Sequence, residues 1–228
     1  MSAPTFLNMV QSQKQDRQSH RLRGYDYSLS APYFVTICAE KSLHLFGTVE
    51  SERMVLNEPG RMVAGWLLET QNKFTNVRVD AFQVMPNHLH AIIVLMGNGM
   101  DMASRFGLGI DDLDLESADG NAGVPLQIGE GKSTRPIVKD PSLGSVLQWF
   151  KTMTTNMYIR GVRELDWKPF AKRLWQRNYY DHIIRNGLAL ERTRDYIRDN
   201  PLYWSLQRDA GSSEEQSFEQ WLLNHKLS

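Results

Sequence analysis

The chain has 228 residues, with 26 Lys and Arg against 26 Asp and Glu, so its formal net charge is zero. This length suits one domain with a substantial hydrophobic core. The single cysteine, Cys38, excludes a disulfide framework and favours a reducing compartment. No apolar run is long enough for a signal peptide or a membrane span, so we expect a cytoplasmic protein without a membrane partner.

The zero net charge hides a segregation of charge along the chain. Residues 141–208 carry twelve Lys and Arg against six acids, whereas residues 97–140 carry four against eight. The basic segment is interleaved with aromatic residues, which are Trp149, Phe150, Tyr158, Trp167, Trp175, Tyr179 and Tyr180. Because cations neutralise phosphates and aromatic faces stack on unpaired bases, this composition is typical of a single-strand binding surface. A solvated helix face above core aromatics explains it equally well.

The N-terminal half of the chain contains predicted strands around one predicted helix. Residues 1–22 are polar and lack periodicity, so we expect a mobile N-terminal arm. β-branched and aromatic residues predict a first strand over 33–38 and a weaker strand or hairpin arm over 47–55. After the helix-start signal Asn-Glu-Pro-Gly at 57–60, apolar spacing predicts a helix of about three or four turns. Strand residues follow over 77–95.

The C-terminal half begins with a segment that matches no regular element. Residues 97–140 contain an acidic run and scattered glycines, so we expect a mobile surface insertion. An apolar stripe over 143–157 predicts a helix, and the alternation over 173–184 predicts a strand. Asn186 can cap a last helix, which should end near Asn200 because the residue before a proline disfavours helical geometry.

This order of elements predicts an α+β fold in a single domain over 23–208, followed by a tail over 209–228. We expect an antiparallel sheet with helices on one face and a partly open opposite face.

The motif Met-Pro-Asn-His-Leu-His at 85–90 is the most informative stretch of the chain. Residues two apart on a strand leave the same face about 6 to 7 Å apart, so His88 and His90 can grip one cation. A metal held by only two neutral imidazoles keeps coordination positions open for a phosphate oxygen. Such a site suits Lewis-acid chemistry on a phosphodiester. Pro86 predicts a bend or strand start that presents both rings at an accessible edge on the open face. Two ordinary strand histidines bonded to their neighbours are the alternative.

The last predicted helix offers a nucleophile for that chemistry. Tyr196 and Asn200 are four residues apart and therefore share one helical face. The Asn200 amide oxygen can supply a third metal ligand, and the Tyr196 phenolate can attack phosphorus to form a phosphotyrosine. Ordinary packing is the competing role for this tyrosine. The weaker candidates, on the predicted strand or beyond the predicted helix end, are Tyr179, Tyr180 and Tyr203.

Six short motifs occur in order from about residue 22 to 208: Gly24-Tyr-Asp-Tyr27, Tyr33-Phe-Val-Thr-Ile-Cys38, Leu45-Phe-Gly47, Met85-Pro-Asn-His-Leu-His90, Leu174-Trp-Gln-Arg177 and Asp195-Tyr-Ile-Arg-Asp-Asn-Pro201. Together they resemble the REP-associated tyrosine transposases, members of the single-tyrosine HUH (His-hydrophobic-His) transposase superfamily. The resemblance implies a ferredoxin-like βαββαβ core, Mg²⁺ or Mn²⁺, and cutting and rejoining of single-stranded DNA beside small palindromic hairpins. It also implies that His88 and His90 are the metal pair, Tyr196 the nucleophile and Asn200 the polar third ligand. The insertion over 97–140 departs from the family pattern.

The predicted activity is therefore a metal-dependent DNA endonuclease and strand transferase that acts at hairpin or REP-type sequences. Predicted phosphate contacts are Lys151, Arg173, Arg177, Arg185 and Arg194, and His182 is a further candidate for a metal ligand or a proton shuttle. A module that binds structured DNA or RNA without catalysis is one alternative. A replication initiator or relaxase with the same chemistry is another. Whether the chain acts as a monomer or a homodimer stays open.

Overall fold

The structure is a computed structural model that describes residues 24–97, Phe106 and residues 141–209. The predicted N-terminal arm, most of the predicted insertion and the C-terminal tail lie outside these residues.

The central element is an antiparallel sheet. Its strands are β1 (Ala31–Cys38), β4 (Val77–Val84), β5 (His88–Leu95) and β6 (Tyr180–Ile183). Within the described residues the strand order is β4-β5-β1-β6, so β5 and β1 are the two interior strands. Between β1 and β4 in the chain, β2 (Gly47–Glu50) and β3 (Arg53–Leu56) form a separate hairpin.

Two helices cover one face of this sheet, α1 (Glu58–Lys73) and α2 (Leu143–Glu164). Both begin where the local sequence favours a helix start. The Asn57 side chain accepts a hydrogen bond from the Gly60 amide (2.9 Å), and the Ser142 side chain accepts one from the Ser145 amide (3.3 Å). These helices and the facing strand residues form the main hydrophobic core.

The third helix, α3 (Gly187–Asp209), covers the opposite face of the sheet. Its buried residues Leu190, Tyr196 and Ile197 pack against apolar residues of β1 and β5. The start of α3 is as predicted, because the Asn186 side chain accepts a hydrogen bond from the Ala189 amide (2.8 Å). No helix in the described part of the chain combines the length and the apolar character that a membrane crossing requires.

The order β1, α1, β4, β5, α2, β6 and the strand order together confirm the predicted α+β fold of ferredoxin-like topology. Three details of the prediction are wrong. The strand predicted over 173–184 is limited to Tyr180–Ile183, since the residues before it run as an irregular segment whose Trp175 forms a bridge with Ala39. The last helix does not end near Asn200 but continues through Pro201, and its second half lies over the sheet. The face opposite α1 and α2 is covered by α3 rather than open.

Candidate active site

His88 and His90 are the first and third residues of β5, and both point toward α3. Opposite them on β1 lie Cys38 and Thr36. The prediction of a strand start after Pro86 is correct, because the Met85 amide donates to the His88 carbonyl (2.8 Å) in a tight turn. The prediction of an accessible edge is wrong. β5 lies between two other strands, and the exposed fractions of His88 and His90 are 0% and 2%.

The two imidazoles face each other through their outer nitrogens. The Nε2 atoms of His88 and His90 are 2.9 Å apart. The Nδ1 of His88 lies 2.6 Å from the Asn87 side-chain oxygen, and the Nδ1 of His90 lies 2.9 Å from the Thr36 hydroxyl. Each Nδ1 thus has a hydrogen-bond partner outside the pair, and the two Nε2 atoms face each other.

The charge state of the pair is set by its environment. Burial lowers the pKa of His90 well below its usual value of 6.5, and the neighbouring His88 lowers this pKa further. His90 is therefore neutral at pH 7. Histidine binds a metal as a neutral imidazole, commonly with the nitrogen that does not face the metal, here Nδ1, held by a hydrogen bond.

The geometry of the pair fits a shared divalent cation. Two ligands in adjacent positions of an octahedron with bonds of about 2.1 Å lie roughly 3 Å apart, close to the distance between the two Nε2 atoms. In the described ranges, no cluster of three or more His, Cys, Asp or Glu side chains has the geometry for metal binding. A cation held by two imidazoles alone would keep positions open for amide, water or substrate oxygens, as in a site that exchanges ligands rather than a closed structural site.

Tyr196 lies beside this pair. Its ring centroid is 5.2 Å from that of His90 and 5.7 Å from that of Phe34, and the side chain is almost fully buried. Asn200 is also buried and lies one helical turn further along α3. The structure thus brings together the predicted metal pair and the predicted nucleophile from residues that are distant in sequence. Their chemical roles stay predictions.

Several residues of the site were not identified from the sequence. Phe34 stacks on His90 with ring centroids 5.5 Å apart, and Thr36 and Asn87 orient the two imidazoles. The Trp204 ring centroid lies 5.8 Å from that of His88 and 5.6 Å from that of His44. The spacing could have indicated Trp204, because Tyr196, Asn200 and Trp204 follow one another at intervals of four residues and so share a helical face. This residue was missed because the helix was expected to end at Pro201.

The residues predicted to contact phosphates fall into two groups. Arg173, Arg177 and Arg185 are exposed. Lys151 instead donates to the carbonyls of Gln176 and Arg177 (3.0 and 3.3 Å). Arg194 forms ion pairs with Asp80 and Glu191. Lys151 and Arg194 therefore have structural contacts as well, and the phosphate contacts stay predictions.

The other candidate side chains lie at different distances from the pair. Tyr180 packs against Phe34 at 6.2 Å, and His182 pairs with Phe34 across β1 and β6. Tyr179 precedes β6, where its ring lies 5.3 Å from the Lys151 ammonium. Tyr203 lies within α3, because the helix continues past Pro201. The Tyr196 ring, by comparison, lies 5.2 Å from that of His90.

Comparison with known proteins gives a relative and a structural neighbour. No family model matches the chain. The solved structure of a REP-associated tyrosine transposase bound to a REP hairpin aligns with 80% of this chain and 72% of its own, at 16% identity and a TM-score of 0.43. A TM-score this low does not establish a common fold. A protein of Haemophilus influenzae described as uncharacterized is 32% identical over 190 residues, covering 82% of this chain and 89% of its own length. The chain therefore belongs to the same protein family as this Haemophilus influenzae protein.

Proposed function

We propose that the protein is a metal-dependent, single-tyrosine DNA endonuclease and strand transferase of the REP-associated transposase type. The observation that supports this most directly is a buried imidazole pair, with Nε2 atoms 2.9 Å apart, beside the Tyr196 ring at 5.2 Å from His90. The proposed substrate is single-stranded DNA next to a hairpin, as the sequence motifs imply.

The proposed cation is Mg²⁺ or Mn²⁺. His88 and His90 would hold it through Nε2, and the Asn200 amide oxygen would be a third ligand. Bound there, it would polarise a phosphate oxygen and stabilise the negative charge that develops during transfer. Thr36 and Asn87 fix the ring orientations, so neither imidazole ring has to rotate when the site fills.

Tyr196 supplies the covalent step. Its phenolic oxygen forms a bond to phosphorus as the bond from phosphorus to the 3′-oxygen breaks. The phenol gives up one proton and the departing 3′-oxygen takes up one, which leaves a 5′-phosphotyrosine and a free 3′-hydroxyl. Attack of a 3′-hydroxyl on the phosphotyrosine reverses the same exchange, so a strand is rejoined without ATP.

Substrate entry requires a movement at the covered side of the pair. His88 and His90 are buried beneath α3, whose Trp204 is partly exposed above His88. A phosphate group is much larger than a bare cation, so we expect the second half of α3 to shift when DNA binds.

An irregular basic segment lies next to the site and suits the DNA backbone. This segment connects α2 to β6. Its exposed cationic side chains are Lys168, Lys172, Arg173 and Arg177. The Gln176 amide donates to the Cys38 carbonyl (2.9 Å), and Cys38 pairs with His88, so the segment runs past the end of the sheet that holds the imidazoles. Lys151 supports the segment from α2 through its carbonyl contacts. These positions favour phosphate contacts that lead the strand to Tyr196.

The test is formation of a covalent protein–DNA adduct. A labelled hairpin with a single-stranded flank is incubated with Mn²⁺ and the native chain, the Tyr196→Phe variant or the Tyr203→Phe variant, which removes a hydroxyl from the same helix. We expect an adduct with the native chain and with Tyr203→Phe, and none with Tyr196→Phe. An adduct that persists in Tyr196→Phe removes this residue from the role. DNA binding that weakens with salt, is unchanged by a metal chelator and gives no adduct supports the non-catalytic binding module instead.

A further inference from the structure

Asp80 lies at an irregularity of β4 on the face that α3 covers. The strand register shifts between Val79 and Ala81, which pair with the adjacent residues Ile93 and Ile92 of β5. Asp80 is thus the extra residue of a β-bulge. A bulge interrupts the alternation of faces and re-aims the side chain at that position.

The bulge brings the Asp80 carboxylate to Arg194 of α3, 114 residues away in the sequence. Arg194 Nε donates to one carboxylate oxygen at 2.9 Å, and Nη2 donates to the other. The Asp80 side chain is only 2% exposed, whereas that of Arg194 is 28% exposed. Two parallel hydrogen bonds between a planar guanidinium and a carboxylate fix both distance and orientation, which a lysine ammonium does not do.

The apolar contacts between α3 and the sheet are of a different kind. Leu190 and Ile197 pack against Phe34, Ile92 and Val94. Apolar contacts are non-directional, so by themselves they specify the position of a helix along the sheet less sharply than a two-pronged ion pair. Arg194 precedes Tyr196 by two residues on the same helix. The ion pair therefore acts close to the residue whose position relative to His90 matters most.

We infer that Arg194 is a positioning residue, which together with Asp80 sets the place of Tyr196 over the imidazole pair. Its effect on strand cleavage rests on the proposed function, whereas its effect on α3 does not. The inference competes with the prediction that Arg194 contacts a DNA phosphate, and the two assignments differ in what a lysine at this position does.

The first experiment compares Arg194→Lys with Arg198→Lys. Arg198 is the matched control, because it pairs with Asp195 and Asp199 on the exposed side of the same helix, where its side chain is 67% exposed. Arg194→Lys keeps a positive charge near buried Asp80 but loses the two-pronged geometry. We expect the single-turnover rate of adduct formation to fall by about 10- to 100-fold in Arg194→Lys, since small misplacements of a reacting group have effects of this size. Arg198→Lys should keep the native rate.

DNA binding separates positioning from phosphate contact. With Arg194→Gln in the Asp80→Asn background, which leaves no unpaired buried charge, we expect the salt dependence of DNA affinity to equal that of the native chain. A phosphate contact predicts a log–log salt slope smaller by about one unit. A reduced slope, or a native adduct rate in Arg194→Lys, overturns the inference.

Hydrogen exchange tests the positioning role without DNA or metal. In Arg194→Lys and in the double variant, amides of α3 near Tyr196 should exchange at least about tenfold faster, while amides of α2 keep native rates. Unchanged exchange in α3 overturns the inference. If the native chain forms no adduct but α3 loosens as expected, the proposed function fails and the positioning role of Arg194 stands.

Discussion

Strand β5 packs in two different ways on its two faces. Toward α1 and α2 it presents Leu89, Ala91, Ile93 and Leu95, which join the main hydrophobic core. Toward α3 its first two side chains are His88 and His90, which are equally buried but held by hydrogen bonds at each Nδ1. Burial of a polar group lowers stability unless the group is hydrogen-bonded, as both imidazoles are here. Apolar side chains in place of the two histidines would stabilise this face without fixing the orientation of each side chain so sharply. We therefore expect one face of β5 to contribute mainly to stability and the other to carry the proposed chemistry.

Loss of the imidazoles should have the largest effect on the chemical face. We expect His88→Ala combined with His90→Ala to weaken Mn²⁺ binding at least about 100-fold, because both proposed nitrogen ligands are gone and even outer partners of such ligands carry 10- to 100-fold effects. Calorimetric titration with Mn²⁺ measures this. His182→Ala is the control and should keep native affinity. Unchanged affinity in the double variant excludes the pair as the metal site, and a large loss in His182→Ala makes His182 a ligand.

Leu89 lies between the two histidines in sequence but on the other face of β5. Its substitution therefore tests directly whether the two faces have different roles. Leu89 is fully buried in the main core. Leu89→Ala should lower the free energy of unfolding by about 2 to 5 kcal/mol, as large-to-small core substitutions do. Urea unfolding gives this value, and titration of the folded protein should give Mn²⁺ affinity within about threefold of native, since no proposed ligand changes. A loss of affinity without a loss of stability would contradict the division.

The half-buried Thr36 on one side of the sheet and the buried Thr154 on the other offer a comparison between the two sides. The Thr36 hydroxyl lies 2.9 Å from His90 Nδ1, and the Thr154 hydroxyl accepts a hydrogen bond from Trp175 Nε1 at 2.8 Å. Thr36→Val should weaken Mn²⁺ binding by about 10-fold because the His90 ring loses its orienting partner. Thr154→Val should cost about 1 to 3 kcal/mol of stability and leave Mn²⁺ affinity unchanged. Equal Mn²⁺ affinities for the two variants would show that Thr36 does not act through His90.

The smallest expected effect is a pH dependence of the metal-free protein. Burial and the neighbouring His88 hold the pKa of His90 well below 6.5. Near pH 6.5 the unfolded chain therefore takes up a proton on this imidazole, whereas the folded chain does not. Stability should therefore fall as the pH drops below about 6.5, by up to about 1.4 kcal/mol per pH unit, until the folded-state pKa is reached. Urea unfolding in chelator between pH 7.5 and 5.5 measures the slope. His90→Gln should flatten it, because this position then takes up no proton. A native slope equal to that of His90→Gln would contradict this origin.

Local periodicity explains which parts of the site could be predicted from the sequence. The spacings of His88 to His90 and of Tyr196 to Asn200 place side chains on one face of a strand and of a helix, and both elements are present. The helix starts at Asn57 and Asn186 were also predictable, because a cap depends on residues within one turn.

The remaining features depend on distant residues. Pro201 was expected to end the last helix, but α3 continues because its second half packs on the sheet, where Trp204 meets His88. The histidine face was expected to be open, since nothing local to β5 shows that a helix about one hundred residues later covers it. Thr36 reaches His90 through strand pairing, and Asp80 reaches Arg194 through a bulge. Neither contact follows from a local pattern.

The most direct test of the account is the position of Mn²⁺ in crystals of the Tyr196→Phe variant soaked with the metal and a single-stranded DNA. We predict an anomalous Mn²⁺ peak bonded to Nε2 of both His88 and His90, with the scissile phosphate next to the ring of residue 196. A metal held elsewhere, or a phosphate out of reach of that ring, would contradict the account.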